Sequence, residues 1–231
     1  MSNQKEDVKL IWLSHVLTKN TPAYGGGDGL SIEHEKEINC GDSCNTVKLS
    51  FSNHLGSHVD APRHFVDYGV TTESYEPSDW VFNKPIIIEL DITESEIITQ
   101  KHIENICNNI DDADLVLIKT SFEKHRDKRK YWEAPPGYAP ELADFLSSKF
   151  ESFSAIGMDT ISISSYQHRE LGREAHDAFL QKGFRIFEDL TLKDLQKQAK
   201  LSKVIALPLR FDNSDGAPCS IIGWVHKNEY D

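Results

Sequence analysis

Two continuous apolar segments, Pro85–Asp91 and Lys203–Pro208, constrain this chain most. Unbroken apolar runs of that length suit strands buried on both faces. Around them, short runs rich in Ile and Val recur between turn residues, which is the pattern of further strands. The expected strands are Val8–His15, Thr46–Ser52, Asp114–Thr120, Ser154–Asp159, Phe184–Glu188 and Cys219–Val225. Thr46–Ser52 alternates, with Val47, Leu49 and Phe51 on one face. Helices are fewer. Thr99–Asn108 carries Ile103 and Ile106 at helical spacing behind a Thr99 cap, and Pro140–Phe150 opens on a first-turn proline. Arg173–Lys182 stops at Gly183, and Asp189–Lys200 forms a fourth helix with Leu192, Leu195 and Ala199 inward. The expectation is an α/β protein with a mixed sheet core and few helices, built as a single domain over residues 1–231.

Charge and composition narrow the function. With 37 Asp and Glu against 25 Lys and Arg, the formal charge is −12, which argues against nucleic-acid binding because phosphate neutralisation needs a basic face. No basic amphipathic stretch suits a membrane surface. Met1–His15 holds only the four-residue apolar run Leu10–Leu13, too short for a secretory or spanning segment, so a cytoplasmic location is expected. Four cysteines (Cys40, Cys44, Cys107, Cys219) are too few for a disulfide framework and are expected as reduced thiols. Two loops stand out. Tyr24–Gly29 is Gly-rich but lacks the Lys and helix start of a phosphate loop, so it reads as a surface turn. Lys124–Pro140, polar and then aromatic and Pro-rich, reads as a lid or a surface flap.

The chemistry concentrates in Ser52–Phe65, where His54, His58, Asp60 and His64 follow the pattern H-x3-H-x-D-x3-H. By composition, an 11-residue window would hold roughly half of one histidine, not three. Imidazole and carboxylate together suit a divalent ion of zinc or manganese type. Gly56 gives the backbone freedom to turn, and Pro62 stiffens the exit. His64, beyond the proline, can face the same cavity as a general acid or base without coordinating. Clustered histidines can also be surface or packing residues, but three with an Asp, spaced by Gly and Pro, favour a metal site. Farther on, His176 on the expected helix and Glu188 at a strand end are brought near each other by the Gly183 turn; spacing alone does not select them.

The run His54-Leu55-Gly56-Ser57-His58-Val59-Asp60-Ala61-Pro62-Arg63-His64 resembles the hallmark of the cyclase-like metal-dependent hydrolases, a family that includes bacterial kynurenine formamidase and isatin hydrolase. Ser57 stands where the family carries Thr. Asp114–Thr120 is similar to the family's central strand, Gly157-Met158-Asp159-Thr160 to its Gly-x-Asp-Thr turn, and Ala175-His176 and Phe187–Leu190 to its downstream segments. The resemblance implies a swivelling β/β/α domain assembled as a homodimer or homotetramer. It also implies two divalent ions, usually zinc, with His54, His58 and Asp60 holding the first. Asp60 would bridge to a second ion completed by His176 and Glu188, and His64 would be the catalytic acid/base.

The implied activity is hydrolysis of a small amide, with N-formylkynurenine as first candidate. The chain departs from the formamidases at Tyr24-Gly25-Gly26-Gly27-Asp28 and at Ile161–Arg169, both expected near the pocket. A lactone or isatin-type ring is therefore an alternative substrate, and a catalytically retired, metal-stabilised binding protein is an alternative role. No G-x-S-x-G elbow supports a serine nucleophile. His168 and Arg169 are read two ways: as contacts to an anionic or polar substrate group, or as a helix cap or subunit contact.

Overall fold

The computed structural model describes residues 8–195 and 200–226. Its strands are β1 (Val8–Trp12), β2 (Ser31–Lys36), β3 (Thr46–Ser50), β4 (His58–Asp60), β5 (Val81–Phe82), β6 (Pro85–Glu89) and β7 (Ile97–Ile98), followed by β8 (Leu115–Lys119), β9 (Gly137–Tyr138), β10 (Ala155–Met158), β11 (Arg185–Glu188), β12 (Leu201–Pro208) and β13 (Gly216–His226). The helices are α1 (Gln100–Cys107), α2 (Lys130–Glu133), α3 (Glu141–Lys149) and α4 (Arg169–Leu180). None of the described helices is long and apolar enough to cross a membrane.

A nine-stranded mixed sheet runs β5-β12-β13-β4-β11-β10-β8-β6, with β1 also paired to β13. Strands β6, β8, β10 and β11 are parallel; β4, β13, β12, β5 and β1 join antiparallel. The sheet nearly closes on itself, bringing β12 beside β6. Side-chain alternation then feeds two cores. Val116 and Ile118 of β8, with Ile156 and Ile186, pack on the side of α1, α3 and α4. Leu115 and Leu117, with Ala155 and Phe187, face the antiparallel half and meet Phe82, Val204 and Ile221. Each fully buried Val, Leu, Ile or Phe side chain among these contributes about 1.5–3 kcal/mol. The mixed α/β architecture with few helices is as expected.

Several local expectations change. The strands of the main sheet buried throughout are β4, β11, β10 and β8, which lie side by side; β6 and β12 each leave some residues open, because β6 ends the sheet and β12 lies on its outer antiparallel part. Thr46–Ser50 leaves the main sheet and pairs only with β2, and Val47 and Leu49 are exposed rather than turned to a core. The helix expected at Asp189–Lys200 is absent through Leu195: Leu190 makes an isolated bridge to Ser14 and the chain continues irregularly, although Leu192 and Leu195 are buried. Gln196–Ala199 lie outside the described residues. The helix expected from Arg173 starts four residues earlier, so Arg169 sits on its first turn rather than in a loop. All four cysteines are free, Cys40 and Cys44 exposed, Cys107 and Cys219 buried.

Candidate metal centre

The motif straddles the seam where the parallel strands meet the antiparallel ones. His58 and Asp60 lie on β4, two residues apart and therefore on one face. Strand β4 pairs with β11 so that Glu188 stands directly opposite His58. The second half of the motif is thus a buried central strand. A turn through Gly56 (φ +73°) precedes it; a Cβ there would lie 2.4 Å from Leu17 Cδ2. That turn carries His54 back over β4. At Gly216 a Cβ would lie 2.4 Å from His54 Cε1, so only glycine leaves room for this ring. The 3-10 turn Pro62–His64 presents His64, and α4 covers the site with His176.

Backbone carbonyls set two of the imidazoles. His58 Nδ1 donates to the Gly56 carbonyl at 2.8 Å, and His176 Nδ1 donates to the Gly172 carbonyl at 2.8 Å. Each ring therefore presents Nε2 to the centre, the arrangement that orients metal-ligating histidines. His58 Nε2 lies 3.3 Å from Asp60 Oδ1 and 3.5 Å from Glu188 Oε2. His176 Nε2 lies 3.5 Å from Asp60 Oδ2 and from Glu188 Oε1. His54 Nδ1 sits 2.7 Å from Asp60 Oδ1, while its Nε2 lies 3.0 Å from Asp215 Oδ2.

An imidazole lone pair aimed at a carboxylate at these distances requires a cation between or upon them. Without an ion, protons take that role. Burial opposes the charged form of His58, but Asp60 and then Glu188 outweigh it and raise its pKa to about 9. His176, likewise buried, is raised to about 10 by Asp60 and Glu188. Burial works against the Asp60 carboxylate too, yet hydrogen bonds from His176, His54 and His58 hold it well below the usual range. Separations of 2.7–3.5 Å between donors match the edges of a coordination polyhedron whose bonds are about 2.0–2.2 Å. Nitrogen and carboxylate donors with this geometry fit a divalent ion.

The donors divide into two overlapping groups, His54–Asp60–His64 and His58–Asp60–Glu188, both through Asp60. All six residues singled out in the motif and downstream (His54, His58, Asp60, His64, His176, Glu188) therefore meet in one cavity of about 310 Å³. The grouping differs from the expected division, since His64 falls with His54 and His58 with Glu188. His168 is exposed and does not line the cavity, whereas Arg169 does.

Supporting groups were less legible. Glu188 Oε1 accepts from Ser162 Oγ at 3.0 Å and from the Ile163 N–H at 2.7 Å. Phe65 stacks on His176, with centroids 4.6 Å apart. Ser57 Oγ donates to the Asp189 carbonyl and accepts from the His15 N–H, so its hydroxyl braces the motif. Asp215, absent from the expected set, accepts from His54, from His64 Nδ1 at 2.9 Å and from Asn53 Nδ2 at 2.7 Å. It immediately precedes β13, and nothing in its local sequence marks it.

The profile of the Cyclase family matches residues 11–165. Among curated proteins, the chain is 30% identical over 212 residues to the kynurenine formamidase of Bacillus cytotoxicus, covering 92% of this chain and 95% of that protein. It is 29% identical over 208 residues to that of Bacillus cereus, covering 90% and 93%. Among solved structures, an isatin hydrolase bound to the product analogue thioisatinate aligns with a TM-score of 0.80 at 20% identity, covering 95% of this chain and 93% of that one. Isatin hydrolase A from Ralstonia solanacearum aligns with a TM-score of 0.81 at 18% identity, covering 94% and 92%. These last two similarities concern the fold. With two thirds of its length matched by the profile, this chain belongs to the Cyclase family.

Proposed function

We propose that the protein is a metal-dependent hydrolase of small amides, with N-formylkynurenine as the first candidate substrate. The observation that carries this reading is the convergence of His54, His58, Asp60, His176 and Glu188, with imidazole nitrogens facing carboxylates at 2.7–3.5 Å. The proposed ligands are His54, His58 and Asp60 for one ion, and Asp60, His176 and Glu188 for a second. Zinc is the preferred metal and manganese the alternative. A divalent ion bound here acidifies water to a pKa near 7 and polarises a carbonyl.

The chain's own groups supply the proton handling. Asp215 accepts from His64 Nδ1, which leaves Nε2 of that ring free to take a proton from water and return it to the departing nitrogen. Ser162 and the Ile163 N–H hold the Glu188 carboxylate in a single orientation. The cavity walls of Phe65, Ile161 and Tyr24 suit a planar apolar substrate body.

The protein is further proposed to be a single domain over 1–231, since β1 near one end pairs with β13 near the other. A homodimer or homotetramer is supported by the arm β2–β3, whose Val47 and Leu49 face outward, and by exposed Trp12, Val16, Leu207 and Leu209. The free thiols fit a reducing, cytoplasmic setting.

The test is hydrolysis of N-formylkynurenine by metal-stripped protein restored with zinc or manganese. Metal-dependent turnover with kcat/KM of at least about 10⁴ M⁻¹s⁻¹ is expected. Metal uptake without turnover would redirect the reading to lactones or isatin-like rings, the second reading that the fold similarity favours. Failure to bind metal would overturn the reading.

A further inference from the structure

The cavity has a second, cationic end that the metal chemistry does not use. Helix α4 presents Arg169, Arg173 and His176 at positions i, i+4 and i+7, which is one face of a helix. His176 reaches the buried centre, and both arginines line the same cavity toward its exposed side. In a chain of net charge −12, arginines in such a cavity would be expected to carry carboxylate partners. Arg173 has no hydrogen-bond or ion-pair partner among the described residues. Arg169 is held without a carboxylate: its guanidinium lies 4.1 Å from the centroid of the Tyr166 ring, and Tyr24 lines the same cavity.

We propose that Arg169 and Arg173 form an anion subsite, and that the natural substrate is a small amide bearing a carboxylate about 5–10 Å from the carbonyl that is cleaved. The distance follows from the helix rise: three residues separate His176 from Arg173 and seven separate it from Arg169, roughly 4.5 and 10.5 Å along the axis. A planar guanidinium pairs a carboxylate through two parallel N–H···O bonds, so the pair selects both charge and orientation. The Tyr166 ring against its guanidinium restrains Arg169 beside the cavity, which reduces the ordering cost of binding. This inference rests on the hydrolase reading above and specifies its substrate class.

The test compares N-formylkynurenine with its methyl ester, which keeps the formamide and removes the charge. Metal-loaded wild type, the double variant R169A/R173A and Arg173→Lys are assayed after their metal content has been matched. Wild type is expected to favour the acid at least about tenfold in kcat/KM, mainly through KM, a difference of about 1.4 kcal/mol. The double variant should bring the ratio near one, and the lysine variant should recover part of it. A wild-type ratio near one, or an unchanged ratio in the double variant, overturns the subsite while leaving the hydrolase reading standing.

Should neither compound be cleaved, calorimetric binding of kynurenine and kynurenine methyl ester to the same proteins decides separately. A preference for the acid that disappears in R169A/R173A sustains the subsite and removes the formamidase reading. Equal or undetectable binding of both removes the subsite as well.

Discussion

Asp215 Oδ2 lies 2.9 Å from His64 Nδ1 and 3.0 Å from His54 Nε2, so one carboxylate oxygen holds two imidazoles of the motif. The rings lie close together, with centroids 4.0 Å apart. Both imidazoles donate to the same acceptor, which fixes the tautomer of each: Nδ1–H in His64 and Nε2–H in His54. His54 Nδ1 then faces Asp60, with a proton between them that a bound ion would replace, and His64 keeps Nε2 for proton transfer. Asp215→Asn retains shape but replaces one oxygen with an amide that donates. We expect a loss of about 10–100-fold in activity or metal affinity, the usual cost of losing such an outer partner. Steady-state kinetics, metal content and the pH profile of kcat/KM check this; unchanged values in all three would refute this role for Asp215.

His64 separates two roles that its position alone leaves adjacent, since its donor atom lies within reach of those of His54 and Asp60. His64→Ala is expected to keep its metal and lose about 10²–10⁴-fold in kcat, the range for a missing general acid or base. Elemental analysis beside the kinetics decides. Loss of metal in this variant would make His64 a ligand instead.

How much of this was legible in the sequence depends on the range of the interactions. His54 to His64 span eleven positions, and their polar types converge because a turn at Gly56 and the two-residue period of β4 act locally. His176 lies on a helix and Glu188 ends a strand in agreement with pattern, but their meeting depends on β11 pairing with β4. That pairing is long-range, and here the family resemblance, not spacing, had named them. Asp215 lies 151 positions from His64, and no periodicity links them. Thr46–Ser50 has the alternation of a half-buried strand yet forms an arm off the main sheet, because alternation reports a two-faced strand and not what covers its apolar face. Beyond Asp189, apolar spacing suggested a helix, whereas Leu192 and Leu195 reach the core from irregular backbone.

Metal binding should stabilise the fold and release protons. His58 and His176 hold protons in the metal-free site, with pKa values near about 9 and about 10, and each must give one up to ligate. Affinity should therefore fall about tenfold per pH unit for each proton displaced as pH drops. At free metal one hundred times Kd, the native state gains about 2.7 kcal/mol. Thermal melts with and without zinc, and calorimetry in two buffers of different ionisation enthalpy, measure both effects. Asp60→Asn, which removes the carboxylate common to both donor groups, should abolish them; retention of metal in that variant would refute the bridging role.

A buried acid away from the metal centre sets an independent pH response. Glu123 is part of the 3-10 turn Phe122–His125, and its Oε1 accepts the Leu192 N–H at 2.8 Å. Burial, reinforced by the nearby charge of Asp159, raises its pKa from 4.5 to about 7. A raised carboxyl pKa means that the folded state prefers the protonated form. Its contribution is fully present below pH 4.5, declines as pH rises, and is lost above about pH 7. The span corresponds to roughly 2 kcal/mol, allowing for partial solvent screening. Glu123→Gln keeps the carbonyl acceptor for Leu192 and never ionises. In urea melts of metal-free protein at pH 5 and pH 8, the variant should gain on wild type at the higher pH and show little difference at the lower. An equal difference at both values would show that Glu123 stays ionised throughout and that its charge is neutralised within the fold.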